Sequence, residues 1–141
     1  MSWKNCRASI QSIVENLTPA TTPRGRKGFR HVGEKDIEES TRDREFSVEV
    51  TSGPHRTGDC ATVTPRYLTS CEIAVRYLKT NSVANDEDRI TEDAEQIIGA
   101  ILIKSNHHAN FQALADMPDT TIEKDDERNY FLRIGFTVHH L

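Results

Sequence analysis

Apolar residues in this chain recur with two distinct periods, and the alternation between those periods lays out the fold. From Ser2 to Leu17, Trp3, Cys6, Ile10, Ile13, Val14 and Leu17 return every three or four residues, so they form one stripe of a helix. Ser2 can cap that helix and Pro19 stops it, because a residue before proline avoids helical angles. Glu45 to Thr51 then alternates strictly, with Phe46, Val48 and Val50 on one face and Glu45, Ser47 and Glu49 on the other. Ser52, Gly53 and Pro54 are expected to end that strand, and the stretch to Pro65 is polar, with Gly58 and Asp59 as turn residues. Tyr67 to Lys79 predicts a longer strand with Thr69, Cys71, Ile73, Val75 and Tyr77 inward, pairing antiparallel with its predecessor.

The helical period returns after residue 85. Ile90, Ala94, Ile97, Ile98, Ile101 and Leu102 make an apolar stripe, and Asn85 or Asp86 can cap it. Asp86, Glu87 and Asp88 crowd the first turn and Lys104 the last, as the helix dipole favours. Arg89, Glu92, Asp93, Glu95 and Gln96 are expected on the solvated side. Phe111 to Met117 and Thr120 to Lys124 read as strand on either side of Pro118, Asp125 to Arg128 as a charged turn, and Tyr130 to His140 as a strong strand facing Leu132, Ile134, Phe136 and Val138 to the core. The order helix, strand, strand, helix, strand, strand predicts an α+β domain: a mixed, mainly antiparallel sheet of about four strands, two helices on one face, and long loops.

Composition adds what periodicity cannot. The chain has 141 residues, which makes one domain over 1–141, and only 35% are hydrophobic. The deficit falls in Thr18–Arg42 and Ser52–Pro65. A single copy should therefore be marginally stable, with those segments ordered by neighbours. Residues 18–42 hold Pro19, Pro23, Gly25, Gly28 and Gly33 beside Arg24, Arg26, Lys27 and Arg30, and read as a flexible basic arm. No apolar run is long enough for a membrane helix, and no charged start with an apolar middle suggests a secretory signal. The net charge of -4 does not suit a freestanding DNA-binding domain.

Candidate chemistry is sparse. Cys6, Cys60 and Cys71 have no metal-like spacing and read as unpaired thiols of a reducing compartment. His107-His108 and His139-His140 are adjacent pairs without the usual ligand spacing, although one from each could join a composite metal site. No nucleophile elbow, Walker loop or dinucleotide motif occurs. Arg24-Gly25-Arg26-Lys27-Gly28 lacks the strand before and helix after that a phosphate loop needs. An enzyme is not expected, nor a cofactor or a resident metal. Charge, by contrast, is segregated. Residues 1–35 carry seven Lys or Arg against two acids; residues 86–95 and 116–127 each carry six acids against one cation. Such asymmetry suits head-to-tail association of copies.

Several short signatures resemble the tail terminator proteins of long-tailed bacteriophages, also termed tail completion or minor tail proteins. They are the N-terminal helix followed by the proline-rich arm, Asp43-Arg44-Glu45-Phe46-Ser47-Val48 entering the first strand, and Ile73-Ala74-Val75-Arg76-Tyr77. Asp88-Arg89 and Asp93-Ala94-Glu95-Gln96-Ile97 open the second helix, and the chain closes on Leu132-Arg133-Ile134-Gly135-Phe136-Thr137-Val138-His139. The resemblance implies a virion structural protein of the tail and neck, present in the host cytoplasm during assembly. It implies a ring, commonly a hexamer, that caps the head-proximal end of the tail tube, stops its polymerisation and takes part in head–tail joining. Its partners would be further copies, the tail tube protein and a head completion or connector protein, with DNA passing through the lumen unbound and no membrane contact. Arg24, Arg26, Lys27, Arg30, Arg44, Asp125, Asp126 and Glu127 are then the expected subunit or tube contacts. A head–tail stopper of the neck shares much of this pattern. A small nucleic-acid-binding module using the basic arm is the reading from another class.

Overall fold

The computed structural model describes residues 3–22, 28–33, 43–57, 66–102, 111–124 and 129–140. Within them, α1 spans Trp3–Glu15, β1 Arg30–His31, β2 Glu45–Thr57 and β3 Arg66–Leu78; α2 spans Val83–Leu102, β4 Phe111–Lys124 and β5 Asn129–His140. The strands form one sheet in the order β1-β2-β3-β5-β4. All pairs are antiparallel except the short β1–β2 pair. The architecture is therefore the expected α+β type, with one small strand more than the periodicity indicated.

The two periods meet in one core. Cys6, Ile10 and Val14 from α1 and Ile90, Ala94, Ile97 and Ile101 from α2 pack on Phe46, Val48, Cys71, Ile73, Val75, Leu132, Ile134 and Val138 of the sheet. The central register is unbroken from Tyr67↔His140 to Leu78↔Asn129, so inward residues of β3 and β5 share one face. Fully burying each large aliphatic side chain contributes roughly 1.5–3 kcal/mol.

Three boundaries differ from the sequence expectation. Ser52-Gly53-Pro54 does not end β2, which runs on to Thr57. The register against β3 shifts twice, between Val50 and Ser52 and between Ser52 and His55, so the extra residues are absorbed as bulges. Gly53 makes this possible, with φ +99 and a position where a Cβ would lie 2.8 Å from the Leu68 carbonyl. Helix α2 is capped by Ser82, not Asn85 or Asp86: Asn85 N donates to Ser82 Oγ at 3.3 Å. Finally, Arg30–His31, inside the stretch read as an arm, form a short strand of the sheet. Phe29 is buried edge-on against Phe46, and Arg30–His31 pair with Glu45–Phe46. One buried aromatic and a two-residue strand leave no periodic trace, so periodicity could not find them.

Candidate functional site

The chain enters β2 through Asp43 and Arg44, and Arg44 holds a positive φ of 56°. Opposite them, Asp86, Arg89 and Asp93 lie at helical spacing on one side of α2. The sheet and helix close over these five charges, and each is at most 2% exposed. Arg44 Nε donates to Asp93 Oδ2 at 2.7 Å. Arg89 Nη1 donates to Asp43 Oδ2 at 2.6 Å and Nη2 reaches Asp86 Oδ1 at 3.4 Å. Most of the remaining polar atoms are tied to the frame, although Arg89 Nε is buried without a hydrogen-bond partner. Asp43 Oδ1 accepts from Leu78 N at 2.8 Å, Asp86 accepts from the amide and hydroxyl of Thr80, and Tyr77 Oη donates to Asp93 Oδ2 at 2.8 Å. Arg44 also donates to the Thr21 carbonyl and to Thr22 Oγ1. The cluster thus joins the segment after α1, the start of β2, the end of β3 and the front of α2.

Burial sets the electrostatics here. It pushes the Asp93 carboxyl above its ordinary value, while the hydrogen bonds from Arg44 and Tyr77 pull it back. Burial, with the neighbouring Asp93 carboxylate, holds the Tyr77 phenol well above its usual range. Arg89 and Asp93 therefore do not lie on a solvated face, as their polarity suggested. Each finds an opposite charge contributed by residues 43–44, a pairing that local sequence spacing cannot display.

Beside the cluster lies a cleft of about 440 Å³ lined by Thr21, Thr80, Asn85, Asp86, Asp88, Arg89 and Glu92. Its mouth is acidic, and Thr21 Oγ1 donates to Glu92 across it at 2.9 Å. Its hydroxyls are each held by a carboxylate, Thr21 by Glu92 and Thr80 by Asp86 at 2.7 Å. Among the described residues no group of three or more His, Cys, Asp or Glu side chains is placed to hold a metal ion. His140 is buried, shares a hydrogen bond with Thr69 Oγ1 at 2.8 Å and stacks on Tyr67; His107 and His108 lie outside the described residues. Cys6 and Cys71 are buried free thiols, pushed by burial up to about 11 and about 12 respectively.

The expected contact residues separate. Arg24, Arg26, Lys27, Asp125, Asp126 and Glu127 lie outside the described residues. Arg30 is exposed on β1, at one edge of the sheet. Arg44 turns inward, away from the subunit contact expected of it: it is 0% exposed and its guanidinium donates to Asp93, Thr21 and Thr22. At the far edge, β4 exposes Asp119 and Glu123. Behind Glu123, Arg133 bridges Glu72 at 2.9 Å and Glu123 at 3.1 Å on the sheet face away from the helices. Among the described residues no helix is long and apolar enough to cross a membrane. No protein-family model matches this chain, and no curated protein matches it in sequence.

Proposed function

We propose that this chain is a structural ring subunit of the virion, a tail terminator that caps the head-proximal end of a phage tail tube and takes part in joining head to tail. The observation that carries the reading is that exposed Arg30 lies at one edge of the sheet and exposed Asp119 and Glu123 at the other. The basic run ending in Arg30 leads into β1 at one edge, while β4 carries Asp119 and Glu123 at the other and runs on in sequence to Asp125–Glu127. Two unlike, complementary edges favour heterologous contacts, which close a ring when the rotation between copies closes. Asp43, Arg44, Asp86, Arg89 and Asp93 are locked in the buried cluster, which fits a rigid building block.

Electron microscopy of particles lacking this protein tests the reading. Overlong tails identify a terminator. Tails of normal length, detached beside filled or leaking heads, identify a head–tail connector instead. Native mass spectrometry of the purified chain should show a closed oligomer, six copies on this reading.

A further inference from the structure

Among the described residues, two of the three exposed large hydrophobic ones, Val50 and Ile122, sit on β2 and β4, each 39% exposed. They share a sheet face. Val50 is paired with Cys71 and Ile122 with Leu132, and both partners point into the core. β1 covers only Glu45–Phe46 of the outer edge of β2, and among the described residues neither β2 beyond Phe46 nor β4 has a strand on its outer side.

The backbone is prepared at both edges. Val32 N donates to the Phe46 carbonyl at 2.8 Å, so Phe46 turns its polar groups away from β3. Alternation turns those of Val48 and Val50 the same way. Carried through Val48↔Ile73, Ile73↔Ile134 and Ile134↔Thr120, the same alternation turns Thr120 and Ile122 outward at the far edge. Three antiparallel pairings lead from β2 through β3 and β5 to β4, so β2 and β4 run in opposite directions and β4 of one copy runs antiparallel to β2 of a like-oriented next copy.

We infer that copies of this chain join by strand addition, with Ser47–Thr51 of one copy pairing antiparallel with Asp119–Glu123 of a second. Register follows from charge. Opposing Val48 to Ile122 sets Val50 against Thr120 and Glu49 against Thr121, keeping the apolar residues on the core face. A slip of two residues either way puts Glu49 directly against Glu123 or Asp119, which like charge disfavours. The bulges after Val50 and before Asp119 bound one end of the seam, and β1 with Val32 on Glu45–Phe46 bounds the other, so it is short. This contact deepens the ring reading and rests on it for closure into a ring.

The test uses the full chain carrying Cys60→Ser, which removes one background thiol, with Glu49→Cys and Thr121→Cys added together. Mild oxidation should yield a ladder of disulfide-linked species on non-reducing gels. The double variant Glu49→Cys with Glu123→Cys, and either cysteine alone, should link at least about tenfold less, since a disulfide needs Cβ atoms within about 4.5 Å. Independently, Ile122→Lys should raise the dissociation constant by about tenfold or more, because it places a charge in the seam. Oligomers by native mass spectrometry without the Glu49–Thr121 linkage, and without an Ile122→Lys effect, overturn the seam and leave the ring standing. A chain that stays monomeric at every concentration and forms no linkage overturns both.

Discussion

Arg44 and Asp93 show how a charged residue becomes a core residue. Each is buried, and each is held by the other together with Thr21, Thr22 and Tyr77. Removing one partner leaves an uncompensated buried charge. Arg44→Ala is therefore expected to destabilise the chain by about 3–5 kcal/mol, read as a lower midpoint in urea unfolding. The double change Arg44→Met with Asp93→Leu should cost less than the single one, since both desolvated charges go together. Tyr77→Phe removes one donor to a carboxylate and should cost about 1–3 kcal/mol by the same assay. Gly53→Ala should cost more than about 1 kcal/mol, because its φ is positive and a Cβ would meet the Leu68 carbonyl. None of these charged partners is close in sequence: Arg44 and Asp93 are 49 positions apart. The motif residues Asp43-Arg44 and Asp93 were legible, but their partnership was not.

At the scale of elements, α1 and β1 are coupled through His31. Gln11 Nε2 lies 2.9 Å from His31 Nε2, and His31 N donates to Glu15 Oε1 at 3.1 Å. Burial lowers the His31 pKa below its ordinary 6.5, with Glu15 opposing. A group whose folded pKa is depressed contributes stability that is present above its unfolded value and is lost as pH falls through the folded value. Stability should thus be flat with respect to His31 above pH 6.5 and fall below it. His31→Gln should remove that part of the slope, measured by urea unfolding across the acid range. Ile97→Ala, in the middle of the α2 stripe, should cost about 2–5 kcal/mol. The long helices and strands were readable because each repeats its apolar spacing several times. β1 and the continuation of β2 past Gly53 were not, since a two-residue strand and a bulged one carry no period.

For the whole molecule, the lean apolar content is concentrated usefully: one core is formed between two helices and one sheet face. Cys6 and Cys71 lie inside it, with thiols raised to about 11 and about 12 by burial. Both should resist a disulfide-exchange reagent in the native protein and react fully in denaturant, followed by released chromophore. The opposite sheet face carries the Glu72–Arg133–Glu123 bridge, and Arg30 is exposed at one edge with Asp119 and Glu123 at the other. That disposition, rather than any pocket, is the basis for reading the protein as a component of an assembly.

The sequence by itself determined the fold class, the two helices, and the inward faces of the strands that begin β2 and form β3 and β5, because helical and extended periods are local properties written in apolar spacing. It also displayed the segregation of charge along the chain. Tertiary structure alone decided which charges are internal. Arg44, Arg89 and Asp93 read as surface residues until distant segments supplied their counter-ions, since the cost of burying a charge is offset only by partners that folding brings together. It also decided that Arg30 lies at one edge of the sheet and Asp119 and Glu123 at the other, a consequence of strand order that no local pattern encodes.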